Sequence, residues 1–252
     1  MTVDRLLVAL DLPEGCRVDR RVAKKLLVEN GAAVSADKRL INDAVEELLW
    51  IAALKPTTVA IPDYRDELRE YIEIAVLSII LNPKAKTGRL LELVHRAVPY
   101  PVILLSAQGK TPGVSLAHKR WSQGDATKTV LDGELVRLEW DSVHDGRHEA
   151  GFLAALALER QPTSSLFALY QGWIDSIVAM EAARRTGTFT TIASSDAAQV
   201  RRAALQECSR LEAEAAKLRT AAGKEKQVPR RVEQNLKLKR VEAQLGAARS
   251  RL

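Results

Sequence analysis

Apolar and polar positions divide this chain into two regions with different periodicity. Residues 19–30, DRRVAKKLLVEN, read as a short amphipathic helix stopped by Asn30-Gly31. Ser35 or Asp37 can cap a second helix over about 37–53, where Ile41, Ala44, Val45, Leu48 and Ile51 follow helical spacing. Lys55-Pro56 ends it. The pattern then turns to strands. TTVAIPDY (57–64) predicts a short strand, and LREYIEIAVLSIIL (68–81), rich in β-branched residues, predicts the main central one. GRLLELVHRA (88–97) predicts a helix with Leu90, Leu91, Val94 and Ala97 inward. VPYPVILLS follows as a strand with its prolines at the start, where they cost the ladder little. AQGKTPG is a turn, GVSLAHKRW its hairpin partner, and GELVRLEWD (133–141) a further strand. The order β-β-α-β-β-β implies a mixed sheet with packed helices.

After HDGRH (144–148) the period becomes helical. GFLAALALER and SSLFALYQGWIDSIVAMEAARR are helices separated by Gln161-Pro162, and TGTFTTIASSD is a linker. Ala204, Cys208, Leu211, Ala215, Leu218 and Ala222 then alternate in steps of four and three, as do Leu238, Val241, Leu245, Ala248 and Leu252. Gly223 to Pro229 interrupts them. The expected fold is α+β, a mixed sheet with packed helices, followed by a helical region ending in a coiled-coil-like hairpin. The expected organisation is a sheet domain over 1–148, a helical connector over 149–195, and a basic hairpin over 196–252.

Composition narrows the class. The 252 residues are 46% apolar and 28% charged, an ordinary globular balance. No apolar run approaches the roughly 20 residues that span a bilayer. The opening MTVDRLLVALDLPEG lacks the form of a signal peptide, so a cytoplasmic protein with no membrane partner is expected. Cys16 and Cys208 stand far apart without metal-type spacing, which points to buried thiols rather than a disulfide or zinc site. Charge changes the picture more. Residues 196–252 hold 14 Lys+Arg against 7 Asp+Glu, whereas residues 1–148 hold 21 of each. The whole excess of positive charge lies in the last quarter, which suggests a polyanionic or acidic partner there.

The densest chemistry in the first half is VSLAHKRWSQ (114–123). On a strand, Val114, Leu116, His118 and Arg120 share one face and Ser115, Ala117, Lys119 and Trp121 the other. Lys119, Arg120 and Trp121 are candidates for a phosphate or partner contact. The bland reading is a packed tryptophan beside solvated cations. A metal-dependent nuclease would need carboxylates on adjacent strands, one in an acidic-x-Lys tripeptide, to hold a magnesium ion. Glu70 and Glu73 lie on the expected central strand, but PYPVILLSAQGK supplies no such tripeptide. Glu70, Glu73, His118 and Lys119 remain the catalytic set of this alternative. His144, Asp145 and His148 are expected to form a solvated turn rather than a metal site, and His95 a structural contact. AQGKTPG lacks the upstream glycine and following helix of a phosphate loop. No cofactor is expected. The strongest signal is the cluster Lys217, Arg219, Lys224, Lys226, Arg230, Arg231, Lys237, Lys239 and Arg240 around the expected hairpin tip, with Glu225 and Glu233 as its acids. Such a cluster would bind nucleic acid by counterion release. A charged helical surface is the plain alternative.

VDRRVAKKLLVENG, EELLWIAALKPTTVAIP, YIEIAVLSI, HRAVPYPVILL, VSLAHKRWSQ and EKQVPRRVEQNLKLKRVEAQL, in that order, resemble the bacterial domain-of-unknown-function 4391 family over nearly the whole chain. The resemblance carries no catalytic residues with it. It implies an accessory protein encoded beside a helicase and a DNA methyltransferase, in loci of the antiphage or restriction-modification kind. The expectation is therefore a non-catalytic subunit that binds a helicase or methyltransferase partner and DNA. The alternative is a divergent metal-dependent nuclease subunit of such a system.

Overall fold

The computed structural model describes residues 1–125, 128–192 and 194–252. Its helices are α1 (Val3–Ala9), α2 (Lys24–Gly31), α3 (Ser35–Ala44), α4 (Pro56–Val59), α5 (Thr87–Ala97), α6 (Ser142–Asp145), α7 (Glu149–Leu156), α8 (Leu166–Thr186), α9 (Ser195–Lys224) and α10 (Val228–Arg249). Its strands are β1 (Arg17–Arg21), β2 (Val45–Leu54), β3 (Tyr64–Arg65), β4 (Glu70–Tyr71), β5 (Ile74–Leu81), β6 (Val102–Gln108), β7 (Thr111–Trp121) and β8 (Thr129–Glu139). The chain forms two compact units, Met1–Ile177 and Val178–Leu252. Ala193, in the expected linker, lies outside the described residues.

In the first unit a six-stranded sheet runs β1-β2-β5-β6-β7-β8. Every neighbouring pair is antiparallel except β5 and β6, which are parallel. A parallel pair needs a crossover, and α5 supplies it. The sheet is mixed and carries helices, as expected. β5 is buried on both faces (Ala75, Val76 and Leu77 are at most 2% exposed), so it reads as a continuous apolar run rather than an alternation. One core joins β2, β5 and β6 to α2, α3 and α5 through Leu27, Ile41, Leu48, Leu77, Leu90 and Leu104. On the other face, the first turns of α8 meet β7, and Phe152 of α7 stacks on Trp140.

Several elements differ from the expected ones. The helix expected over 37–53 ends at Ala44, and VEELLWIAAL is strand β2. The spacing of Ala44, Val45, Leu48 and Ile51 suits a helix, but β2 pairs with β1 and β5 and is buried on both faces through its second half, which erases the period of two. Irregular register beside Trp50 shifts its faces further. TTVAIPDY is not a strand: Pro56 starts the single-turn helix α4, and the Thr58 hydroxyl accepts the Lys55 N–H. LREYIEIAVLSIIL is two strands, with β4 turned away into a two-residue ribbon with β3. The helix expected from residue 19 begins at Lys24, because residues 17–21 add edge strand β1. β8 starts at Thr129, four residues early, and passes Gly133 at φ +84° where its register with β7 shifts.

In the second unit, α9 and α10 form an antiparallel helical hairpin. Its core is Cys208, Leu211, Ala215, Val241, Leu245 and Ala248, the residues whose spacing marked the seam. Glu212 accepts from Arg185 and Arg249, both at 3.1 Å, and so ties the end of α8 to both hairpin helices. Buried Arg201 of α9 donates to the carbonyl oxygens of Thr190 and Leu252. Among the described residues no helix is long and apolar enough to cross a membrane.

Candidate functional site

Strand β7 separates its side chains to two faces, as alternation requires. Lys119 turns toward α5. It is 2% exposed, and its ammonium donates to the carbonyl oxygens of His95, at 2.5 Å, and Val98. Those carbonyls lie at the C-terminal end of α5, where helix oxygens lack internal partners and a cation is favoured. Burial pushes the Lys119 pKa down to about 8. Beside it, fully buried His95 places Nε2 3.0 Å from the Ser115 hydroxyl, and its Nδ1 has no partner among the described residues. Burial, and then the Lys119 charge, push its pKa down to about 3, so the imidazole is neutral. Lys119 is thus an internal cap on α5, beyond the reach of a phosphate at the surface.

His118 turns the other way. Its Nδ1 lies 2.5 Å from the Tyr71 hydroxyl and its Nε2 2.8 Å from Gln171 Oε1. An amide oxygen only accepts, so Nε2 carries a proton, and in the neutral ring the Tyr71 hydroxyl donates to Nδ1. Tyr71 is buried, which raises its pKa well above the usual phenol value. Gln171 donates onward to Asp175 at 2.9 Å. Phe167 and Tyr170 pack against the His118 ring at 5.0 and 5.5 Å. Arg120 lies 3.7 Å from Asp132, which also takes the guanidinium of Arg69 at 2.6 Å. The Trp121 backbone N–H donates to Leu68, and its ring is half-buried.

The four residues of the nuclease alternative are therefore held apart. Glu70 pairs with Arg65 at 3.0 Å on the small ribbon. Glu73 pairs with Lys55 at 3.1 Å through one oxygen, while its other oxygen is buried without a partner among the described residues. His118 and Lys119 stand on opposite faces of the sheet. Among the described residues no group of three His, Cys, Asp or Glu side chains could hold a metal ion. His144 bonds Asp141, Asp145 accepts the Asp141 N–H, and His148 contacts Arg147. The open side of the sheet does carry a cleft of about 630 Å³ against α1. Its strand positions are Leu49, Ser78, Ile80, Ala107 and Pro112, so the strands bring no carboxylate into it, and α1 brings only Asp4.

The nine hairpin cations are all exposed. Arg219 crosses to Glu242 at 2.6 Å and Lys237 pairs with Glu233 at 2.7 Å. Among the described residues, no ion pair engages Lys217, Lys224, Lys226, Arg230, Arg231, Lys239 or Arg240. Sequence reading found these positions but missed a second feature of the same helix. Val228, Val232 and Leu236 are 58%, 51% and 55% exposed on α10. Their i, i+4, i+8 spacing is present in the sequence, but it overlaps the stronger heptad of the seam on the opposite face. The contacts of Lys119 with α5 and of Asp132 with two arginines had no local signal, because their partners lie far along the chain.

No curated protein and no solved structure matches the chain. The family model described as a domain of unknown function, DUF4391, matches residues 10–245, from the end of α1 into the last turns of α10. The match covers both the sheet unit and most of the helical hairpin, and the chain belongs to the DUF4391 family.

Proposed function

We propose that this chain is a non-catalytic accessory subunit of a bacterial antiphage or restriction-modification-like complex. Its partner is a helicase or DNA methyltransferase in the cytoplasm, and its basic hairpin gives the complex a hold on DNA. The observation that carries this reading is the set of seven exposed hairpin cations without an acidic partner among the described residues. Surface ion pairs contribute little to stability, so cations left unpaired cost the fold little. They retain their counterions, and the release of those ions by phosphates drives binding. The non-catalytic part rests on the sheet, where Lys119, His118, Glu70 and Arg120 each bond to a different structural partner.

The test is co-expression with the helicase and methyltransferase encoded beside the chain, followed by purification through a tag on this chain alone. Co-elution of either enzyme supports the reading, and its absence removes it. For the hairpin, duplex affinity is measured across a salt series in R230A/R231A/K237A/K239A. The slope of log affinity against log salt should fall by about 0.9 for each phosphate that the variant no longer neutralises. An unchanged slope removes the DNA role. Plasmid cleavage with magnesium or manganese that disappears in Glu73→Ala would instead establish the nuclease.

A further inference from the structure

The outer face of α10 offers a second kind of contact. Val228, Val232 and Leu236 follow one another at successive turns and span about 12 Å along the helix axis. They face away from the seam, which α10 makes with Leu238, Val241 and Leu245. Single exposed aliphatic side chains are ordinary, but three in register form a continuous stripe. Cations border it: Arg231 stands three residues beyond Val228, and Lys239 and Arg240 three and four beyond Leu236. The nearest acid, Glu233, is already taken by Lys237.

This pairing decides the occupant. Aliphatic surface gains only when another apolar surface removes it from water, and a phosphate backbone offers none. An interfacial membrane helix needs a broad apolar face with large anchors, and this stripe has three aliphatic side chains and no aromatic. An apolar centre inside a cationic rim is the layout of a protein interface whose partner is apolar at its centre and acidic at its rim. We propose that this face of α10 docks an acidic amphipathic helix of a partner protein, laid against Val228, Val232 and Leu236 with its carboxylates on Arg231, Lys239 and Arg240, which leaves Lys217, Lys224, Lys226 and Arg230 for DNA. The inference deepens the accessory-subunit reading, on which it rests, by naming the contact that holds the partner.

The experiment uses the full chain and two labelled synthetic peptides. One is a helical peptide with leucines at i, i+4 and i+8 flanked by glutamates; the other replaces those leucines with serine. Fluorescence anisotropy should show the leucine peptide binding about tenfold tighter, the effect of burying two or three half-exposed aliphatic side chains. V232S/L236S should remove that preference while its circular dichroism and melting temperature match the parent. Equal binding of the two peptides, no binding, or a preference that survives V232S/L236S overturns the proposal. So does a loss in V232S/L236S seen only with duplex DNA or with phosphatidylserine vesicles. V232S/L236S that still co-elutes with the helicase or methyltransferase sinks this contact alone, whereas a parent chain that co-elutes with neither sinks the accessory reading itself.

Discussion

Lys119 in the sheet unit and Lys239 in the hairpin carry the same side chain into opposite surroundings. Lys119 is buried, with its ammonium on two carbonyls at the end of α5. Lys239 is exposed and has no ion pair among the described residues. The contrast extends to their neighbours. Arg69 and Arg120 converge on Asp132, and Arg89 bonds Asp37 at 2.8 Å and holds its carboxyl below the usual carboxylate range. Arg230, Arg231 and Arg240 stand in solvent. A cation that supports the fold is recognised by the acceptors built around it. One left without acceptors, in a cluster of one sign, is available to a partner. Residue counts conceal this difference, because the sheet region is neutral overall yet carries more cations than the hairpin.

On that division, removing core groups from the sheet unit costs stability, and removing hairpin cations does not. The largest effect is expected for Leu104→Ala. Leu104 is fully buried on β6, inside the core that joins the sheet to α5. The deletion should cost about 3 kcal/mol by urea unfolding, from the forfeited transfer energy and the cavity left behind. A cost under about 1 kcal/mol would mean that the sheet is not the stable body of the chain.

Tyr170→Phe comes next. The Tyr170 hydroxyl accepts the Ala117 N–H at 2.9 Å and donates to Val102 O at 2.7 Å, beyond the point where the β6–β7 register ends. Phenylalanine fills the same space but leaves buried backbone groups unpaired, so a loss of about 2 kcal/mol is expected. A neutral result would show that the strands close without the hydroxyl.

How much of this was legible depends on the distance between partners. The hairpin seam was readable because Cys208, Leu211 and Ala215 recur within one element, and the structure buries those residues. The alternation of β7 was readable for the same reason, and it placed His118 and Lys119 on opposite faces. β2 reads as a helix because its strand character depends on pairing with β5, whose partner residues lie 20 to 36 positions later. The acceptors of Lys119 lie 21 and 24 residues before it on another element, so its burial could not be seen locally. Part of the candidate surface was legible as charge. The stripe of Val228, Val232 and Leu236 was legible as spacing, but only the packing of α10 shows which of its faces is left open.

A smaller effect concerns pH. Because His95 is buried neutral, the unfolded chain binds a proton between the usual histidine pKa of 6.5 and about 3 that the folded chain refuses. Protonation therefore favours unfolding, and stability should fall as pH drops below 6.5, by about 1 kcal/mol at pH 5.5. The slope of unfolding free energy between about pH 7 and 5.5 should flatten in His95→Gln, which has nothing to titrate. An unchanged slope would assign the acid sensitivity to other groups and weaken the picture of a sealed α5–β7 junction.

The smallest expected effect is the most informative about the hairpin. R230A/R231A/K239A removes three exposed cations that have no ion pair among the described residues. Alanine is at least as good a helix former as either residue, so nothing in the fold should resist the change. The melting temperature should stay within about 2 °C of the parent, as for surface substitutions away from built contacts. A clear drop would mean that these cations hold the hairpin together and would erase the contrast with Lys119. A slight rise would fit better still, because relieving like-charge repulsion on a surface kept basic for a partner is what removal of functional charge should do.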